Sequence, residues 1–437
     1  MTVFEKNCSP VAPGCEQFSP QWINLQLLLD VAKIIKPIVE NMLPAKRSGY
    51  APEVFVLFRA CVELSQCSPT ITAGWLNKKC KDAEHPFQSF ETESFSNNKQ
   101  RRYFPDQPAL SRYTTELTEH NKTEEFWNAV LFAHFLLLNK LGFIKGSLKL
   151  IADVHNDPCK KDKEDPYCYG QKSGKTVHKT LSFSIVAGSM HQVIANFKLE
   201  KGCKRLPFFN KVMDMLASNG FTITYALLDR EFYRKYIFKL FLGWKVTVIM
   251  PGRKCAQTRD LLEKYLLGKG TRHGKGFIKL NYARGKGYPQ VDFDLLVCAR
   301  YKRKLDRVKR DFVEKKITLA EAMKRVFPLL IMKAGKGGIK KIKGNEGYIR
   351  MLYRQRWLIE IAFREMNRLG ISTHVRSRDG RLGVFGAKSL VYNIWQVQCY
   401  LAELRDPASG RLELNEFLGK TISRRYYSYI APVACSR

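Results

Sequence analysis

Near the C-terminal end, the run Tyr353-Arg354-Gln355-Arg356-Trp357-Leu358-Ile359-Glu360-Ile361-Ala362-Phe363-Arg364 sets one carboxylate among arginines. At about 100° per helical residue, Tyr353, Arg356, Glu360, Arg364 and Asn367 fall within roughly 80° of one another. Met351, Leu352, Leu358, Ile359, Ala362, Phe363 and Met366 gather on the other side. Such a helix buries its apolar face and presents an acid flanked by cations. Two chemistries fit: a solvated salt-bridge cluster, which is the commoner role of a lone helix glutamate, or a site for a metal ion and a phosphate, whose oxygens arginine grips in pairs.

Two further acids favour the second chemistry. Residues 148–154 read as a short apolar strand ending at Asp153, and residues 222–229 as a second strand ending at Asp229. A lone strand-end Asp is usually a turn or cap residue. Two such strand ends brought to the same edge of a sheet, joined by Glu360 from a helix, supply three hard oxygen donors suited to Mg²⁺ or Mn²⁺. Two such ions about 4 Å apart activate a water or 3′-hydroxyl and stabilise the leaving oxygen of a phosphodiester. Asp157 competes with Asp153 as first ligand; Asp153 is preferred because it directly ends the apolar run. Trp357, near the functional face, is divided between stacking on a base and burial, and Tyr353 likewise.

Elements able to position these groups are legible. Strands at 181–187 and 191–197 flank the turn Gly188-Ser189, an amphipathic helix spans 208–217, a helix spans 234–242, and a strand at 245–250 stops at Pro251-Gly252. The order β-β-β-α-β-α-β is that of a mixed α/β sheet. Residues 254–345 interrupt it with Gly- and Lys-rich loops, a strand at 291–299 and a charged helix at 305–325. After the Glu360 helix come a loop at 371–383 and an apolar helix from 384 to about 404. Upstream, helical patterns at 21–43, 51–64, 68–79 and from 108 surround a polar stretch at 81–106 and fit a small helical module. The apolar run 126–138 contains Asn128 and His134 and is too short to span a bilayer. It reads as a buried helix, with His134 a satisfied core histidine.

The chain has 437 residues, 74 Lys+Arg against 40 Asp+Glu, and a net charge of +34, which makes nucleic acid the leading partner. Residues 1–125 hold 14 basic and 15 acidic residues, whereas residues 126–437 hold 60 and 25, a net of +35. Residues 251–350 alone hold 27 and 9, a net of +18. The 12 cysteines include no Cys-x-x-Cys pair, which argues against a zinc ribbon. Chance spacing is the preferred reading of Cys159 and Cys168. The start has no apolar signal region, so a cytoplasmic, nucleoid-associated protein with no membrane contact is expected.

Tyr353-x2-Arg356-x3-Glu360 resembles the Y-x2-R-x3-E-x6-K signature of prokaryotic insertion-sequence DDE transposases of the YREK group. The run Leu227-Leu228-Asp229-Arg230-Glu231-Phe232-Tyr233 resembles that group's second-Asp motif. Ile151-Ala152-Asp153, with Tyr169-Gly170 and His178-Lys179, resembles its first-Asp motif, and Val391-Tyr392-Asn393-Ile394-Trp395 the helix after the Glu motif. The likeness covers about residues 145–405 and is nearest to archaeal-type members. It implies an RNase H-like catalytic core, a mixed sheet with flanking helices, with an insertion domain and an all-α N-terminal region. The expected division is 1–125 for a helical domain suited to DNA-end recognition, 145–253 and 346–405 for the core, 254–345 for the basic insertion and 406–437 for a tail.

The same resemblance implies Asp153, Asp229 and Glu360 as catalytic metal ligands for two Mg²⁺ or Mn²⁺ ions, and Tyr353 and Arg356 as DNA contacts. The family lysine is Asn367 here, and Arg364 or Arg368 is expected to replace its phosphate contact. The implied activity is cleavage of double-stranded DNA at terminal inverted repeats and strand transfer into target DNA by a homodimer. Two other readings share these residues: a non-catalytic DNA-binding derivative, and an RNase H-like nuclease of different substrate.

Overall fold

The computed structural model describes residues 31, 33, 36, 52–65, 69–79, 107–144, 146–159, 165–170, 174–253, 255–279, 290–299, 302–334, 341–369 and 377–405. The predicted helix at 21–43 lies almost wholly outside them, as does the polar stretch 81–106. The described N-terminal helices are α1 (Pro52–Ser65), α2 (Pro69–Lys79), α3 (Gln107–Glu119) and α4 (Thr123–Lys140). α4 is the buried helix expected at 126–138. His134 is fully buried as predicted, but both its ring nitrogens lack a hydrogen-bond partner among the described residues, so it is not a satisfied histidine.

A single mixed sheet follows. β1 (Leu148–Cys159), β3 (Thr176–Ala187) and β4 (Met190–Leu199) form an antiparallel meander, with β2 (Cys168–Gly170) sharing the outer edge of β3 with β4. The chain then runs through α5 (Leu206–Ser218) to β5 (Ile223–Leu228), parallel to β1, and through α6 (Lys235–Gly243) to β6 (Thr247–Pro251), parallel to β5. Apolar runs in β5 and β6 suit strands covered on both faces. α5 ends where predicted: Asn219 caps it and Gly220 takes φ +76°, the left-handed geometry that glycine adopts without strain.

The segment after β6 does not leave the sheet. It forms α7 (Ala256–Leu266), β7 (His273–Lys279), β8 (Gln290–Ala299), α8 (Lys302–Val313), α9 (Leu319–Arg325) and β9 (Val326–Met332). β9 pairs antiparallel with β6, giving the order β4-β3-β1-β5-β6-β9-β8-β7. Three sequence expectations change here. The Gly-Lys stretch at 274–276 is strand rather than loop. Its glycines are packing residues, since a Cβ at Gly274 would meet Leu261 at 2.9 Å and one at Gly276 would meet Phe293 at 2.6 Å. The charged helix at 305–325 is two helices, parted near Lys315 at φ +56°. β9, whose seven residues follow α9 without a turn signal, went unseen. Leu262, Leu266, Val297, Leu305, Val308 and Ala322 form a small second core between α7, α8, α9 and the strands.

The last elements are α10 (Glu346–Arg354), α11 (Trp357–Arg368) and α12 (Arg378–Arg405). α12 lies against α4 so closely that a Cβ on Gly386 would come within 2.5 Å of the Trp127 ring. Together α4 and α12 close the open edge of β4. Asn393 bonds both the amide and the carbonyl of Val193, Asn128 accepts from the Asn196 amide, and Glu124 from the Lys198 amide. An edge strand whose backbone groups were buried unpaired would be costly; here side chains replace the missing neighbour.

Candidate active site

β1 sets the first acid. It continues to Cys159 in its pairing with β3, so Asp153 lies inside that ladder, opposite Ser182, rather than at a strand end as expected. Its parallel pairing with β5 is what ends: Ala152 opposite Leu228 is the last pair, and Asp153 and Asp229 are the next residue on each strand. Beyond β5 the chain turns through a 3-10 turn, Arg230–Phe232, and the Asp229 side chain caps none of its amides.

The third acid arrives with a break in the predicted helix. Around Gln355 and Arg356 the backbone bonds shorten to i→i+3, with Gln355 bonding Leu352, Arg356 bonding Tyr353 and Leu358 bonding Gln355. One helix becomes α10 and α11, and Glu360 falls in the first turn of α11 rather than mid-helix, where the macrodipole favours a carboxylate. The break also exposes Met351, placed on the buried side by a continuous helix and in fact 50% exposed.

Arg356 ties the parts together. Its Nη1 donates to Asp153 Oδ2 at 3.2 Å and its Nη2 to Glu360 Oε1 at 2.5 Å. Arg356 is buried, its Nε has no partner among the described residues, and it sits 5.9 Å from the Tyr353 ring. Burial pushes the Asp153 carboxyl up to about 6; Arg356 pulls it down, while Asp229 and Glu231 add to the rise. Burial likewise raises the Tyr353 phenol, with Asp229 and Glu360 among the charges acting on it. Asp153, Asp229, Glu360 and Arg356 thus share one electrostatic neighbourhood. Glu231, passed over as a site residue in the sequence, belongs to it too; its position two residues after Asp229 was the available signal.

The remaining predicted residues divide. Trp357 is 41% exposed, leaving a face for stacking. Arg364 and Arg368 do not stand apart on the helix: both donate at 3.0 Å to the buried carboxylate of Glu365, while their side chains stay largely exposed. Asn367 is exposed beside them. Asp157 is drawn elsewhere, to Arg381 at 3.1 Å, and His155 between the two acids stacks on Phe385 and contacts Phe363. Among the described residues, no three carboxylate, imidazole or thiol groups stand close enough to form a ready-made metal cage. The thiols of Cys159 and Cys168 lie 3.5 Å apart and form no disulfide. No helix of the described residues is long and apolar enough to cross a membrane.

Residues 145–394 match the family model described as "Transposase DDE domain". No curated protein matches the chain. Among solved structures, a cryo-EM structure of piggyBac transposase in a synaptic complex with hairpin DNA is similar at a TM-score of 0.46 and 11% identity, covering 97% of this chain and 83% of that one.

Proposed function

The chain belongs to the transposase DDE-domain family, and from that premise we propose that it is a DNA transposase that cleaves at the ends of its own element and joins the freed 3′ ends to target DNA. The observation that carries this reading is the meeting of Asp153 and Glu360 on one guanidinium, with Asp229 beside Asp153. We assign these three as catalytic residues. We further propose an RNase H-like core of the YREK group, in its archaeal-type branch. The strand order β4-β3-β1-β5-β6, with β5 and β6 parallel to β1, supports that core. In the same reading 145–253 and 346–405 form the core, 254–345 a basic insertion domain with its own small core, 1–125 the region that recognises the DNA end, and 406–437 a tail. The enzyme acts as a homodimer on the nucleoid.

The donor set fits a divalent cation. Asp153, Asp229 and Glu360 offer only hard oxygens, and a positive group, that of Arg356, already bridges two of them. Bound there, Mg²⁺ or Mn²⁺, as two ions, would polarise the scissile phosphodiester and make the attacking water or 3′-hydroxyl more acidic. The chain's own residues do the rest. Arg356 fixes the spacing of Asp153 and Glu360 and offers its free Nε–H. Trp357 and Tyr353 flank the strand at the site, and Arg364 and Arg368 present partly neutralised guanidinium groups to the next phosphates. The missing family lysine at Asn367 favours one second reading, a derivative that binds DNA and cuts it poorly. The test is Mg²⁺-dependent nicking of DNA carrying the inverted repeats that flank the reading frame. Cleavage by the wild type and none by Asp229→Asn supports the transposase; binding without cleavage by the wild type supports the derivative.

A further inference from the structure

Against the 3-10 turn that follows Asp229 lies a cavity of about 620 Å³ that no catalytic role explains. Lys204 and Arg205 reach it from the connection between β4 and α5, Arg234 from the start of α6, and Arg253 from the end of β6. Among the described residues that line it the one acid is Glu231, so four cations oppose one carboxylate. Glu231 stands two residues beyond Asp229, in the turn Arg230–Phe232, so the cavity adjoins the segment that carries the second acid.

The cations are held in different ways. Arg205 donates to Glu231 at 3.3 Å and lies over the Phe232 ring, centred 5.1 Å away. Arg253 lies over the Tyr233 ring at 5.4 Å. Stacking orients a guanidinium plane while leaving its N–H edge free, the arrangement that binds phosphate oxygens in pairs. Lys204, Arg234 and Arg253 are exposed. Cations from separate segments converging in a concavity repel one another, and a concave, low-dielectric wall concentrates their field. A bound anion relieves that repulsion. The volume exceeds what one phosphate needs and so leaves room for the attached sugar.

We propose that this cavity clamps a single DNA phosphate close to the one that reacts, with Lys204, Arg234 and Arg253 as its principal grip. The proposal rests on the reading of the chain as a transposase and adds to it a binding site outside the metal-ligand set. Because several cations share one phosphate, their losses do not add.

The test is the salt dependence of DNA binding by the full chain, measured with a labelled duplex of arbitrary sequence. Arg253→Ala, Arg234→Ala and the double variant are each expected to lower the log–log salt slope by the same amount, about 0.9, the value of one duplex phosphate, with affinity down about tenfold. Arg253→Lys is expected to retain most of the slope, and unchanged thermal melting of the alanine variants excludes misfolding. An unchanged slope would overturn the clamp, and so would a double-variant loss equal to the two single losses combined, which marks scattered surface contacts. Inorganic phosphate serves as a second probe: if it stabilises the wild type and not the double variant while the DNA slope stays the same in both, the cavity takes free phosphate and the DNA clamp is overturned. Wild-type cleavage is scored separately. A chain that cleaves with unaltered slopes loses the clamp alone; one that never cleaves yet shows the shared loss keeps the clamp and loses the transposase reading.

Discussion

Asp153 and Asp229 are neighbours because the parallel pairing of β1 with β5 stops one residue short of both. The arrangement depends on backbone register, so it survives changes of side chain. Asp153→Asn, Asp229→Asn and Glu360→Gln are each expected to lower Mg²⁺-dependent cleavage by more than about 100-fold, beyond the effect of losing an outer-shell partner. DNA binding, measured by mobility shift, is expected to persist. Wild-type cleavage by any one of them would remove that residue from the catalytic set.

Arg356 faces a different test. Its removal leaves the largely buried carboxylate of Asp153, 15% exposed, without its cation. Breaking such a pair costs about 3 kcal/mol; the arm to Glu360, whose side chain is 51% exposed, contributes little because solvent screens it. Arg356→Ala is therefore expected to unfold at lower urea than the wild type. Added Mg²⁺ is expected to recover more stability in the variant, where no guanidinium competes for the acids. Equal shifts with Mg²⁺ in both proteins would separate Arg356 from the cation site.

Much of this site was legible because its chemistry travels with local patterns. An apolar strand meeting an acid is visible twice, and the spacing of Tyr353, Arg356 and Glu360 is visible as a helical face. What failed to show was whatever depended on distant partners. The break at Gln355 and Arg356 depends on where α10 and α11 pack, not on a glycine or proline. Gly274 and Gly276 look like flexible loop until Leu261 and Phe293 are seen against them. The pairing of Arg364 and Arg368 through Glu365 was missed because Glu365 is buried, although helical spacing sets the two arginines only about 40° apart.

His134 carries a pH prediction. Burial lowers its imidazole to about 3, against an ordinary value of 6.5 in the unfolded chain. The folded form therefore binds fewer protons between these values, and its stability, intact above pH 6.5, is lost as pH falls from 6.5 towards 3. The slope is about 1.4 kcal/mol per pH unit. His134→Leu is expected to flatten that acid limb in denaturation curves taken across the window. At neutral pH it is expected to add about 1 kcal/mol, because two unpaired ring nitrogens leave the core. A variant with the wild-type acid limb would show that His134 takes up its proton in the folded state.

The contact between Gly386 and Trp127 governs how α12 lies on α4. With no room for a Cβ at Gly386, Gly386→Ala is expected to destabilise by about 1–3 kcal/mol through overpacking, despite alanine's better helix propensity. Trp127→Leu in the same chain is expected to restore part of the loss, since the two changes share one space. Additive losses in urea melts would show that the helices separate rather than clash.

Asn367 concerns the DNA itself. It is exposed, one residue from Arg368 and three from Arg364, whose charges are partly offset by Glu365. A full positive charge on that face is therefore lacking where the family signature has lysine. Asn367→Lys is expected to steepen the log–log salt slope of DNA binding by about 0.9, one further duplex phosphate, and to raise cleavage of element-end DNA. Glu365→Gln, which frees the two arginines without adding a lysine, serves as the comparison. If it matches Asn367→Lys in slope and cleavage, the arginines do replace the family lysine and Glu365 restrains them; if only Asn367→Lys gains, the position of the charge on the helix is what the substrate requires.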